Sequence, residues 1–245
     1  MNRKIRLFLV SLFFLPLLLS AQDVLRGEVR VELEPIFGAY VDEEYPLDKE
    51  AAYRRALQEA AMFFSAQIYG WSFHYDVGER ARNIDEKFEL TPLGEIRWGD
   101  PRLYVTHANF QNRDFETTTQ RFAVFLSAWM DYRPTDAQRR RLEMWRKGNI
   151  RPAQAIGHSS IGANGTIRDS TEDPYWLAIK KNALEDSARA AVRAMLQGSE
   201  RNRPKEVTGF ICLESFPSFF IDSGRQAARA RFRVEITEII PFAAY

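Results

Sequence analysis

Residues 48–70 read DKEAAYRRALQEAAMFFSAQIYG, a stretch that predicts one long amphipathic helix. Asp48 can cap its first turn. Gly70 can end it, because glycine accepts the left-handed backbone that often follows a helix. The apolar residues recur three or four positions apart, as one face of a helix requires: Tyr53, Leu57, Ala60, Phe64 and Ile68. The helix is also rich in alanine, which allows it to lie close to a sheet.

A second stretch, residues 173–198, has the same design. Asp173 and Pro174 form a cap followed by proline at the first helical position, and Gly198 predicts the end. The inner face is marked by Trp176, Ile179, Ala183, Ser187, Ala191 and Met195. Residues 56–61 of the first helix align without gaps on residues 183–188 of the second. The alignment predicts an internal duplication.

Strand-like alternation surrounds both helices. It precedes them at residues 29–33 and 153–156, and follows them at 71–77, 88–96, 103–110, 121–132 and 230–236. Because no helix separates these consecutive strands, the sheets should be antiparallel. We therefore predict an α+β fold of two related strand–helix–strands units. Each unit is an Ala-rich helix packed on an antiparallel sheet, and the first has extra meander strands.

The N-terminal residues predict export. Arg3, Lys4 and Arg6 precede an apolar run at residues 7–19, and small residues follow at 20–21, which is the layout of a signal peptide. The run is shorter than the roughly 20 residues of a bilayer span. No cysteine directly follows it, which excludes a bacterial lipoprotein anchor. We expect a periplasmic or cell-envelope protein.

The predicted organisation is a signal peptide (1–21), a first α+β unit (22–134), a basic helical linker (135–150) and a second unit (151–245). Removal of residues 1–21 changes the formal charge from +1 to −2. A nearly neutral protein lacks the basic field that nucleic acids require, so no nucleic-acid partner is expected. The single cysteine, Cys212, lies in an apolar stretch and is expected to be buried and inert.

The linker predicts a short basic helix at residues 136–147, with Leu142 and Trp145 on one face. Such a helix could make a peripheral contact with an anionic membrane. The favoured alternative is a connecting helix that covers the sheet with these two side chains while its arginines stay in water. Both residues are also candidates for partner contact.

Few residues suggest catalysis. His158 and Ser159 lie in a glycine-containing loop, but its spacing is not that of a nucleophile elbow. His74 and Asp76 share one face of a strand, and His107 could in principle join them, yet a polar sheet face explains the pair better. The neighbouring acids Glu185 and Asp186 are expected to be solvated. We predict no catalytic, cofactor-binding or metal-binding residue, and no cofactor.

Aromatic residues crowd one short segment after a predicted strand: Phe216, Phe219 and Phe220. Packing between helix and sheet would explain them. If the segment is exposed instead, it is the best candidate surface for a protein partner.

The Ala-rich helix at residues 52–70, followed by strands that close at 120–126, resembles a known envelope module. It is similar to the helix-plus-sheet domain in the N-terminal region of flagellar assembly protein T, which also occurs in small envelope lipoproteins. The second unit resembles the same plan over residues 183–198 and 229–236. The resemblance implies a role in envelope or flagellar assembly and implies no particular site residues.

The leading hypothesis is therefore an exported, non-enzymatic envelope protein that acts as a scaffold or protein-binding module, with envelope or flagellar-associated partners. One alternative is a periplasmic small-ligand binding protein with a pocket lined by Trp98, Trp129 or Trp145. Another is a periplasmic hydrolase that uses His158, Ser159, His74 or His107.

Overall fold

The computed structural model describes residues 24–34, 45–78, 84–113, 123–147, 150–160, 174–199 and 204–241. The predicted signal peptide lies outside these residues. The helices are α1 (Lys49–Ile68), α2 (Asp136–Met144) and α3 (Tyr175–Ser199). The strands are β1 (Leu25–Glu32), β2 (Trp71–Asp76), β3 (Lys87–Pro92), β4 (Leu103–Arg113), β5 (Ala123–Tyr132), β6 (Arg151–His158), β7 (Pro204–Leu213), β8 (Ser218–Asp222) and β9 (Arg225–Pro241).

The strands form two antiparallel sheets. The smaller sheet has the order β1–β5–β4, and the larger has the order β3–β2–β7–β9–β6, with β8 also paired to β9. Helices pack against both sheets. The predicted α+β class with antiparallel sheets is confirmed.

Both halves of the chain share one strand order. In the first half β1 leads into α1, and the last strand, β5, lies between β1 and β4. In the second half β6 leads into α3, and the last strand, β9, lies between β6 and β7. The first half has in addition the β2–β3 pair, and the second has β8.

The β2–β3 pair does not stay with the smaller sheet. It extends the larger one, because β2 pairs with β7 over its whole length. The strands after α1 are therefore divided between two sheets rather than joined in one meander. The chain turns toward β7 at Gly70, which has a φ of +65°. A Cβ at this position would approach the carbonyl oxygen of Ile211 to 2.4 Å, so the close approach requires glycine.

Local capping sets the helix boundaries. The Asp48 carboxylate accepts a hydrogen bond from the Ala51 N–H at 2.7 Å, as predicted. Thr135 caps α2 in a reciprocal arrangement with Gln138. In α3 the first backbone bonds run from Leu177 and Ala178 to the carbonyl oxygen of Pro174. The predicted cap Asp173 lies outside the described residues.

A single buried cluster joins the two halves. It includes Val29 and Ala128 from the smaller sheet, Phe64 from α1, Val192 from α3 and Ile211 from the larger sheet. Helix α1 contacts β1, β4 and β5 of the smaller sheet and β7 of the larger one. Its buried surface is consequently wider than the single stripe that the sequence predicts, and Tyr53 and Leu57 are only half-buried.

Candidate functional site

A cleft of about 680 Å³ lies between α1, the first turns of α3 and the segment after β3. Apolar and small side chains form most of its walls, among them Ala61, Met62, Ala66, Trp71, Leu90, Ile96, Leu177 and Leu184. Polar groups are fewer and include Gln58, Arg97, Lys181 and Glu185. The volume lies in the range of small-molecule sites, and the wall combines apolar side chains with polar groups.

The wall that follows β3 is held against α1 by hydrogen bonds. The Ser65 hydroxyl accepts from the Ile96 N–H at 2.8 Å and donates to the Ala61 carbonyl oxygen at 2.6 Å. The Leu93 N–H donates to the Gly70 carbonyl oxygen at 3.1 Å. These bonds fix the segment that carries Trp98, whose side chain lines the cleft and is 48% exposed. The cleft is therefore preformed on that side.

In the cleft, the fold shifts the pKa of the Glu185 carboxyl group. Burial raises the pKa of its carboxyl, and the Arg189 guanidinium opposes that shift. The expectation that Glu185 is solvated was wrong, because the residue is half-buried and lines the cleft. Carboxyl groups with a pKa raised by burial inside a concave site are recurrent features of binding and catalytic sites.

Asp186, the sequence neighbour of Glu185, has a structural role. Its carboxylate accepts from the His158 N–H at 2.8 Å and pairs with Arg189. It thereby links α3 to the end of β6. Adjacent residues on a helix project in different directions, which explains why the two acids have different surroundings.

The three tryptophans proposed as pocket residues lie in three places. Trp98 lines the cleft. Trp129 lies on the outer face of the smaller sheet, with its ring centroid 5.1 Å from that of His107. Trp145 is buried, and its indole N–H donates to the Ile68 carbonyl oxygen at 3.1 Å. The structure brings only Trp98 to the cleft.

The phenylalanines proposed for partner contact pack largely against this chain. Phe216 makes edge contacts with Phe63 and Phe64, with centroid distances of 4.9 and 4.7 Å. Phe219 stacks on Phe63 at 5.8 Å. Phe220 is half-buried, with the Arg229 guanidinium 5.5 Å from its ring centroid.

Leu142 and Trp145, the other two proposed contact residues, hold α2 on the body of the protein. Leu142 packs against the buried cluster, and Trp145 is buried as described above. Arg140 on this helix and Arg146 just after it are exposed, and Arg139 pairs with Asp136, whereas Arg141 is half-buried with its guanidinium 5.7 Å from the ring centroid of Tyr69. The helix is thus packed on this chain through these two side chains, and its main contact is with α1 rather than with a sheet.

The histidines proposed as catalytic candidates are dispersed. His158 Nε2 lies 2.7 Å from Asp222 Oδ2, and this contact lowers the pKa of Asp222. The pair links β6 to β8 and does not line the cleft. Ser159 is buried, with its N–H donating to the Gln226 carbonyl oxygen. His74 lies in the larger sheet and His107 in the smaller one, so the structure does not bring them together.

Sequence reasoning missed the cleft as a unit, although it named Trp98. Its walls come from α1, α3 and the segment after β3, which no local pattern relates to one another.

Among the helices that the structure describes, none has the length and apolar character needed to span a bilayer.

Comparisons with known proteins relate this chain to one other protein and to one protein family, but neither names an activity. A protein of Treponema pallidum (strain Nichols), named "Uncharacterized protein", is 24% identical over 192 residues, which cover 78% of this chain and 71% of that protein. No solved structure matches the chain. A protein-family model whose description names no function matches residues 16–242, and the chain belongs to that family.

Proposed function

We propose that this chain is an exported binding protein of the bacterial envelope, and that the cleft between α1 and α3 holds its small-molecule ligand. The observation that carries the proposal is the volume of the cleft, about 680 Å³, within the range of known ligand sites. Export rests on the signal-peptide pattern of residues 1–21. The role is binding rather than catalysis.

The lining residues define the class of ligand. Apolar walls suit an aliphatic or aromatic body, and Trp98 at the rim can stack on a ring. Lys181 and Arg97 can meet an anionic group, while Glu185 can accept or donate a hydrogen bond according to its protonation state. The ligand is therefore an amphipathic molecule with one apolar body and one polar or ionic end.

The fluorophore 1-anilinonaphthalene-8-sulfonate has this chemistry and serves as the probe. We expect saturable binding at one site with a Kd below about 0.1 mM. Trp98→Ala should weaken binding about tenfold, and Met62→Trp should abolish it by filling the cleft. Trp129→Ala is the matched control, because Trp129 is also partly exposed (37%) but lies on another face. Circular dichroism verifies that each variant is folded.

Equal loss of binding in Trp98→Ala and Trp129→Ala would contradict the cleft as the site. So would binding that Met62→Trp leaves unchanged. Binding that never saturates would mean that the fluorophore adheres to scattered apolar surface, and the proposal would fall.

A second candidate, scaffolding through protein contacts, is favoured by the outer face of the smaller sheet. Trp129 lies on its middle strand beside His107, the Arg30 guanidinium lies 5.5 Å from the ring centroid of Phe125, and Arg133 lies at the same distance from Tyr104. Tryptophan, tyrosine and arginine are the residues that dominate binding energy at protein interfaces. Envelope or flagellar-assembly proteins are the partners that this candidate implies.

The test is a crosslinked pull-down of tagged protein from the native envelope, with partners identified by mass spectrometry. Scaffolding predicts that Trp129→Ala loses a defined partner that Trp98→Ala retains. Recovery of the same proteins by both variants and by the unaltered chain would contradict a role for this face.

A further inference from the structure

Three side chains with metal-binding groups meet on one face of the larger sheet. They are His74 and Asp76 from β2 and Glu206 from β7. His74 Nε2 lies 3.3 Å from Asp76 Oδ1, and His74 Nδ1 lies 3.5 Å from Glu206 Oε1. One ligand atom from each residue lies within 4.8 Å of the other two. The cluster is separate from the cleft.

The strand register explains why these groups converge. Asp76 is directly opposite Glu206 in the antiparallel β2–β7 pair, and His74 is two residues earlier on β2. Residues two apart on a strand share a face, as do directly opposed residues on neighbouring strands. Like charges that face each other across two strands repel, so this pair of carboxylates favours a cation between them.

Other charged side chains and one thiol must be considered beside this cluster. On the other side of β2, Lys87 is opposite Asp76 and Glu89 is opposite His74, and Lys87 Nζ lies 2.6 Å from Glu89 Oε1. Lys87 is thus held beside the cluster by its own carboxylate partner, Glu89. Cys212 is buried, as the sequence predicts, and does not belong to this group of three.

The chemistry of the three groups indicates a class of metal. Imidazole nitrogen with carboxylate oxygen suits divalent transition metals such as Zn²⁺ and Mn²⁺, whereas Ca²⁺ and Mg²⁺ prefer oxygen alone. In a tetrahedral zinc site the ligand atoms are about 3.4 Å apart, since each bond is about 2.0–2.2 Å long. One nitrogen of His74 serves a single metal, and with one atom taken from each residue the three atoms lie within 4.8 Å of one another. The three side chains are 26–40% exposed, which leaves room for water as a fourth ligand.

We propose that His74, Asp76 and Glu206 form a binding site for a divalent transition metal. The metal takes the position of the cation that the opposed carboxylates favour, and His74 supplies one imidazole nitrogen. The sequence alone points to a polar sheet face here, because the third ligand lies on β7, far along the chain from β2.

Calorimetric titration of the full, untagged chain with ZnCl₂ tests the site. We expect one equivalent bound with a Kd below about 0.1 mM, and a loss of tenfold or more in His74→Ala. His107→Ala and His158→Ala are matched controls and should bind as the unaltered chain does. Glu206→Gln is a second variant, because it removes a ligand from the other strand and leaves the imidazole in place.

Nuclear magnetic resonance supplies an independent readout, since the chain has three histidines. Zinc should shift the imidazole signals of His74 and leave those of His107 and His158 in place. Full affinity in both His74→Ala and Glu206→Gln would overturn the site. The absence of saturable binding by the unaltered chain below about 1 mM zinc would do the same.

Discussion

The ammonium group of Lys180 on α3 donates a hydrogen bond to the carboxylate of Glu59 on α1, and both side chains are buried. Glu59 is 2% exposed and Lys180 is 8% exposed. Burial lowers the pKa of Lys180, while the neighbouring carboxylate opposes that shift. The rings of Phe219 and Trp176 lie beside the ammonium group, at 5.1 and 6.0 Å. This ion pair joins the helices of the two halves.

Breaking this ion pair should destabilise the whole protein. Glu59→Gln leaves a buried ammonium group without its counter-ion, and we expect the free energy of unfolding to fall by about 3–5 kcal/mol. Urea denaturation followed by circular dichroism measures the change. Glu50→Gln on the same helix is the matched control, because its pairing with Arg54 is exposed and should contribute less than about 0.5 kcal/mol.

The double variant Glu59→Leu with Lys180→Met tests whether the pair is needed at all. Apolar residues of similar volume often replace a buried ion pair at little cost. We expect the double variant to be at least as stable as the unaltered chain. A loss as large as that of Glu59→Gln would show that the site requires charge.

The Phe216–Phe220 segment should contribute mainly to stability. Because Phe216 packs on Phe63 and Phe64, Phe216→Ala should lower the free energy of unfolding by about 3 kcal/mol. Phe219→Ala should also lower the free energy of unfolding, since Phe219 packs against the buried cluster. Phe220→Ala should lower the free energy of unfolding by less than about 1 kcal/mol, because the Phe220 ring lies at the edge of the packed region.

Urea denaturation of the three single variants checks this order, and pull-downs of the same variants check partner contact. If Phe216→Ala and Phe219→Ala kept full stability but lost a partner, the segment would be a contact surface after all.

Local patterns predicted most of the secondary structure. The helix predicted from Asp48 to Gly70 occupies Lys49–Ile68, because its cap and its terminal glycine act within a few residues of chain. The predicted strand at residues 230–236 lies within β9 for the same reason: alternation reports directly on which face is buried.

Non-local packing accounts for what the sequence did not predict. Nothing near β2 indicates that it pairs with β7, about 130 residues away, so neither the shared sheet nor the meeting of His74 with Glu206 could be inferred. Glu185 resembles a solvated helix residue in the sequence. Its partial burial results from the packing of α3 beside α1 and the segment after β3.

Gly157 should be irreplaceable, because α3 passes directly over β6 there. A Cβ at this position would lie 1.9 Å from the Ser187 backbone nitrogen, and helix and strand would have to separate. We expect Gly157→Ala to lower the free energy of unfolding by about 3 kcal/mol or more. Gly99→Ala is the control, since a Cβ there would meet no atom within 4 Å. Equal stability of the two variants would contradict the close approach.

The pH dependence of stability should reveal the burial of Glu185. Its pKa is raised in the folded protein, so the folded state holds a proton that the unfolded state releases first. Stability contributed by the protonated form is therefore lost as the pH rises from the ordinary carboxyl pKa through the raised value. Glu185→Gln cannot ionise and should not show this loss. We expect the variant to gain stability over the unaltered chain as the pH increases through this window.

Urea denaturation between about pH 4 and pH 8 measures the difference between Glu185→Gln and the unaltered chain. The difference should increase through the titration window and then remain constant, because above the raised pKa both folded and unfolded states are ionised. Glu238→Gln, at an exposed position, is the matched control for the loss of one surface carboxylate. A difference that stays flat with pH, or that falls as the pH rises, would show that the carboxyl is stabilised in its charged form.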